Sequence, residues 1–217
     1  MDAWNVVSGA SSALRLGLHR YFKCNGDGEH LSSMPEFQMP TVFAHALVPV
    51  AVGLGLGRRR IPARLLITGA VAAMLPDADV VAFKFGIAYA DALGHRGASH
   101  SLVFALLLGA LAACFHRPLR ARAWTAFLFV ACSVLSHPLL DMLTNGGLGV
   151  ALLWPWSEQR FFAPWQVIEV SPFAHRFFSA RGVEVLWSEA RWIGVPALLL
   201  MAVLAAPRLL WERRQSR

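Results

Sequence analysis

The sequence predicts an all-α integral membrane protein, a helical bundle of about five transmembrane helices. Three observations carry this expectation. Of 217 residues, 56% are hydrophobic and 15% charged, where a soluble domain usually carries about 25% charged residues. The deficit is concentrated in apolar runs that approach the ~20 residues a bilayer requires. Arginines cluster in the short segments between those runs, as membrane topology signals do. A net charge of +7 could suit nucleic acid. Its confinement to the ends of apolar runs excludes that reading, so the bilayer is the expected partner and no nucleic acid is. Cys24, Cys114 and Cys132 make no paired framework, and the latter two fall inside predicted spans as small core residues.

Residues 1–38 are polar and mixed in charge, without the apolar segment of a signal peptide. They read as an extension, with Met39 as an alternative start directly before the first apolar run. Residues 39–207 form one membrane-embedded domain and residues 208–217 a basic tail. The first span is about 41–57, followed by Arg58, Arg59 and Arg60. The second is about 61–83, broken by Pro76. The third is about 99–115, followed by Arg117, Arg120 and Arg122. The fourth is about 123–143, with Pro138 near its end, and Pro138 predicts a kink or restart capped by Ser136. The fifth is about 190–206.

Orientation follows from charge. The ends at 58–64, 116–122 and 208–217 hold eleven of the twenty basic residues and one acid, Glu212. The opposite ends hold Asp77, Asp79, Asp91, Asp141, Glu158, Glu169, Glu184 and Glu189. Basic loops stay in the cytoplasm, so the acidic ends are expected on the periplasmic side.

That orientation brings the polar residues of four spans to one depth. At 1.5 Å per residue, Asp77 and Asp79 lie ~25 Å above the arginine end of the second span, His137 and Asp141 ~21 and ~27 Å up the fourth, and His45 ~18 Å up the first. His95 and His100 open the third from the same side. Imidazoles and carboxylates are divalent-metal ligands, and a carboxylate at that depth costs several kcal/mol without a partner. His45, Asp77, His95, His100, His137 and Asp141 are therefore the candidate metal ligands, with His95 either a ligand or a group behind one. His137 and Asp141 share a helical face. Asp77 and Asp79 face one site if the backbone after Pro76 is extended; one then holds metal while the other orients a histidine or polarises water. A proton relay or ion path is the competing use of that pair.

In His95-Arg96-Gly97-Ala98-Ser99-His100-Ser101, Gly97 permits close backbone approach and Ser99 is the expected N-cap of the third span. Arg96 beside a helix N-terminus suits phosphate, or else it pairs with Asp79 or Asp91. Glu189 is either a ligand or an acid at the start of the fifth helix. His175 has no acid four residues on, and His116 lies among arginines. Trp154, Trp156, Phe161, Phe162, Trp165, Phe173, Phe177, Phe178 and Trp187 read as an aromatic belt at headgroup level, or as a lid. Asn145-Gly146-Gly147 marks a turn.

Taken together, Leu75-Pro76-Asp77-Ala78-Asp79, the run from His95 to Ser101, and His137-Pro138-Leu139-Leu140-Asp141 resemble the YdjM-like family of bacterial inner-membrane proteins. Leu153-Trp154-Pro155-Trp156 is similar to that family's aromatic stretch, and the resemblance covers about residues 39–206. It implies a metal-dependent hydrolase in the bacterial inner membrane, with metal at His45, Asp77, His100, His137 and Asp141. The family is distantly similar to zinc phospholipases C and zinc nucleases, which implies phosphoester hydrolysis. Those enzymes carry a second His-x-x-x-Glu or His-x-x-x-Asp helix. This chain has none, since Ser179 stands four residues after His175, so one or two ions are expected rather than three.

The expected reaction uses zinc, favoured by His and Asp donors, to acidify a water that attacks phosphorus. Asp79 is the expected general base, and Arg96 neutralises developing charge. The depth of the site favours a lipid phosphate or similar lipid-linked substrate. Two rivals remain: a transporter, and a structural or regulatory membrane protein with a stabilising metal. The almost purely apolar lower halves of the spans disfavour a transport path.

Overall fold

A computed structural model of the chain describes residues 42–170 and 180–215. All belong to the second of two compact units, Glu36–Arg217. The expectations for residues 1–38, His175, Phe173, Phe177 and Phe178 lie outside the described residues.

A 3-10 turn, Val42–Ala46, leads into α1, Leu47–Leu56. Helix α2, Ala63–Met74, continues as a 3-10 helix over Leu75–Phe85. A 3-10 turn at Ala98–His100 precedes α3, Leu102–Cys114, and α4 spans Ala123–Asp141. Helix α5, Ala180–Glu189, passes through a π-helical segment, Ala190–Gly194, into α6, Val195–Gln215. Among the described residues there is no strand, and the isolated bridges Thr144–Ile168 and Val150–Phe161 are the only β pairings.

The protein is a helical membrane bundle. Three stretches are long and apolar enough to cross a bilayer by length and composition: Ala63–Phe85, Ala123–Asp141 and Gly182–Gln215. Val42–Leu56 and Leu102–Cys114 are shorter apolar helices. All five expected spans are thus helical, with differences at their ends. The last runs well past 190–206 in both directions, because Leu209 to Arg214 are strong helix formers and continue the helix into the expected tail. Glu189 accordingly sits at the end of α5 and does not start a helix.

Local proline chemistry explains two further differences. The segment holding Asp77 and Asp79 is a 3-10 helix, not extended chain. Pro76, in its first turn, lacks the N–H that an α-helix would use, and its fixed φ suits the opening of a new turn. Pro138, by contrast, does not restart α4, which remains helical to Asp141. Ser136 caps nothing; its Oγ donates to the Ser133 carbonyl at 2.7 Å. Neighbouring helices and hydroxyl groups allow such prolines inside membrane helices.

Small residues set the packing. The core below the site joins Leu65 and Ala72 of α2, Ala105 and Ala112 of α3, and Ala126, Phe129, Val130 and Val134 of α4. Alanine and Gly109 let α3 and α4 approach closely, as small residues do between membrane helices. Helix α6 packs on α1 and turns Leu198, Leu199 and Val203 outward, the arrangement expected where lipid is the solvent. Trp156 and Trp165 are also exposed.

Candidate metal centre

The histidines and aspartates converge at the upper end of this core. His45, Asp77, His95, Arg96, His100, His137 and Asp141 are all buried. The 3-10 geometry decides what each aspartate meets. At about three residues per turn, positions i and i+2 point apart, so the two carboxylates approach His100 from opposite sides. Asp77 Oδ1 is 3.8 Å from His100 Nε2, and Asp79 Oδ2 is 3.2 Å from His100 Nδ1.

On the Asp77 side, one donor atom each from Asp77, His100, His137 and Asp141 lies within 4.8 Å of the others. His137 Nε2 is 3.1 Å from His100 Nε2, 3.3 Å from Asp77 Oδ1 and 3.6 Å from Asp141 Oδ2. His100 Nε2 is 3.2 Å from Asp141 Oδ2. Four ligands held at ~2.0–2.1 Å around one ion are separated by roughly 3.3 Å, and the five separations above, 3.1–3.8 Å, are of the size a metal site needs.

Hydrogen bonding fixes the tautomers. His137 Nδ1 lies 2.7 Å from the Ala73 carbonyl, which only accepts, so the proton is on Nδ1. His100 Nδ1 lies 3.0 Å from Ser99 Oγ, whose own hydroxyl donates to Asp79 Oδ2 at 2.5 Å. The His100 proton is therefore also on Nδ1. Both Nε2 atoms face each other and two carboxylates, where a cation in place of a proton would receive both lone pairs. The oxygens of Asp77 and Asp141 receive no hydrogen bond among the described residues. Such a cluster is costly in low dielectric and fits a cation.

The charge balance agrees. Asp77, Asp79 and Asp141 bring three negative charges and Arg96 one positive, leaving −2 for a divalent ion to neutralise. Arg96 Nε lies 3.3 Å from Asp141 Oδ2, Nη1 donates to the Gly146 carbonyl at 2.8 Å, and the backbone N–H donates to Asp79 Oδ2 at 3.2 Å. The structure thus brings Arg96 to the site as the partner of Asp141 and Asp79 rather than Asp91. His45 stacks on His137 with ring centroids 3.6 Å apart, and its Nε2 is 3.6 Å from Asp141 Oδ1. Among the described residues neither of its nitrogens makes a hydrogen bond, which leaves His45 able to serve as a fifth donor.

Asp79 and His95 stand behind His100. His95 Nδ1 is 2.6 Å from Asp79 Oδ1, a direct hydrogen bond, and Asp79, His95 and His100 form a second group whose donor atoms lie within 4.8 Å of one another. Asp79 accepts from His95, Ser99 and the Arg96 backbone, and it faces the far nitrogen of His100. Its geometry is that of a residue orienting a ligand. Glu189 is buried at the end of α5 and is not among the gathered donors. His116 belongs to the arginine-rich end, with Nδ1 3.2 Å from the Ala121 carbonyl.

The connecting segments hold this geometry. Ser101, not Ser99, caps α3, accepting from the Phe104 N–H at 3.1 Å; Ser99 is drawn to Asp79 instead. Gly97 allows the tight path expected of it, since a Cβ there would lie 2.3 Å from the Ala92 carbonyl oxygen. Residues 149–152 pair with the histidine loop through Ala151 N–H to the Arg96 carbonyl and Leu102 N–H to the Leu152 carbonyl, each 2.9 Å. Arg160, not singled out in the sequence, donates to the carbonyls of His95, Tyr89, Asp91 and Gly149 at 3.0–3.4 Å. Burial pulls its guanidinium below the ordinary arginine range and pushes the Tyr89 phenol up, the latter opposed by the Arg96 charge. The available signal was an arginine in a long aromatic-rich stretch.

Fold and site together define a multi-helix membrane protein with a buried His/Asp centre able to hold a divalent ion. The chain belongs to the YdjM inner membrane protein family, whose profile matches residues 39–213. It is also 52% identical over 179 residues to inner membrane protein YbcI of Escherichia coli (strain K12), covering 82% of this chain and 100% of that protein. No solved structure matches it.

Proposed function

We propose that this protein is a metal-dependent hydrolase of the inner membrane, acting on a phosphoester of a lipid-phosphate-like substrate from the periplasmic side. The observation that carries the reading is the close gathering of Asp77, His100, His137 and Asp141, with both imidazole Nε2 atoms turned inward. A divalent ion, with zinc favoured by the donor set, would supply Lewis acidity and a water of lowered pKa. The chain's own residues do the rest. Arg96 pairs with Asp141, Asp79 and Ser99 hold His100 in one orientation, and the Ala73 carbonyl does the same for His137. An apolar cavity of about 350 Å³ lined by Leu93, Val103, Phe104, Leu107 and Trp154 reaches Asp79 and Ser99. It supports a substrate with a hydrocarbon chain. The test is phosphate release from lipid phosphates and diphosphates by purified protein in detergent. Release that stops with a chelator and in folded His137→Ala is expected; activity confined to soluble nucleotides argues against the reading.

A specific observation favours a second reading. Four buried protein donors are the shell of a structural zinc, whereas catalytic sites keep a position open. A stabilising metal in a regulatory membrane protein predicts that His137→Ala unfolds. A hydrolase predicts a folded, inactive variant.

A further inference from the structure

We infer that the arginine-rich end of the bundle is a second site, one that binds the phosphate-bearing headgroup of an anionic phospholipid. A cavity of about 820 Å³ lies between the α1–α2 loop and the α3–α4 loop. Arg59 and Arg60 line it from the first loop, and His116, Arg117, Arg120 and Arg122 from the second; among the described residues no carboxylate lines it. Topology alone asks only that arginines lie in loops on one side of the membrane. It does not ask that two loops, distant in sequence, place five arginines around one concavity. A cleft lined by one sign of charge focuses potential on its interior, and guanidinium groups match phosphate oxygens two at a time.

Two further features belong to this cavity. Arg120 has φ +56. It occupies the left-handed position of a helix-ending turn in which the Ala121 N–H bonds the His116 carbonyl at 3.1 Å and the Arg120 N–H bonds the Arg117 carbonyl at 2.9 Å. Glycine is the usual occupant there, because an L side chain is strained. An arginine in its place delivers a guanidinium to the cavity against the local backbone preference. Arg64 Nη1 also donates to the Pro118 carbonyl at 3.1 Å, tying the two loops together. Leu56 and Ile61 complete the wall, so the site is apolar toward the bundle and cationic at its rim. That amphipathic character, at helix ends where headgroups lie, selects a phospholipid over free phosphate.

The test is thermal unfolding of the detergent-purified full-length chain with added phosphatidylglycerol, phosphatidylcholine or inorganic phosphate, together with lipid analysis of the purified protein. Phosphatidylglycerol should raise Tm by about 5 °C and co-purify at near-stoichiometric amounts. Arg117→Gln/Arg120→Gln should abolish both effects while its Tm without lipid stays close to wild type, and Lys84→Gln, in the 3-10 helix Leu75–Phe85, should keep them. Should the double variant fail to fold, Arg59→Gln/Arg60→Gln serves, with a predicted ~10-fold weaker response. An equal shift with phosphatidylcholine or inorganic phosphate, or an undiminished shift in the arginine variants, overturns the assignment.

Discussion

His100 and His137 face each other through Nε2 atoms 3.1 Å apart, while each ring gives its Nδ1 proton to a partner outside the pair. A cation between them would use both Nε2 atoms and the two carboxylates beside them, so the fold and the ion should be thermodynamically linked. Stripping metal with a strong chelator should lower Tm by about 10 °C, the magnitude expected for a site saturated near 1,000 times its Kd. Adding back zinc should restore it. A Tm indifferent to chelation contradicts the linkage.

Asp79 acts on the centre through His100. Asp79→Asn keeps the side-chain shape but turns an acceptor into a partial donor facing the protonated nitrogens of His95 and His100. Metal affinity should fall about 10–100-fold, read by competition against a chromophoric chelator, with the fold retained. Unchanged affinity would make Asp79 a bystander.

Gly147 has φ +84, and a Cβ there would lie 2.7 Å from the Tyr89 hydroxyl and 2.9 Å from Arg96 Nη1. Gly147→Ala should therefore cost about 1–3 kcal/mol and loosen Arg96 from Asp141. Denaturation should register the first effect and weaker metal retention the second. A substitution that stabilised the protein would show that Arg96 does not depend on this turn.

Arg160 bonds four carbonyls, three of them on residues 89–95. Arg160→Ala should cost about 2–4 kcal/mol and speed amide exchange across residues 86–98 more than in α4. Uniform exchange across both segments would count against a clamp.

The parts of this molecule written in composition were legible in sequence. The apolar runs became helices, and the arginine bias brought His45, Asp77, His100, His137 and Asp141 to a common depth, where the structure joins them. What sequence could not give was direction at single residues. Asp77 and Asp79 look equivalent until Pro76 turns the chain into a 3-10 helix and sends them to opposite nitrogens of His100. Ser99 and Ser101 are both plausible caps, and the competing attraction of Asp79 selects Ser101. The carbonyls of Ala73 and Gly146 carry no side-chain signal at all. Arg160 reaches the histidine loop only because residues 144–170 fold back over it.

The most direct test is elemental analysis of detergent-purified protein beside the folded variants His137→Ala and Asp77→Ala, with fold checked by circular dichroism and size exclusion. The account predicts about one equivalent of divalent metal in the wild type, with zinc expected, and a stoichiometric loss in both variants. Wild-type protein purified without chelator that holds no metal, and takes up none when zinc is supplied, would contradict it.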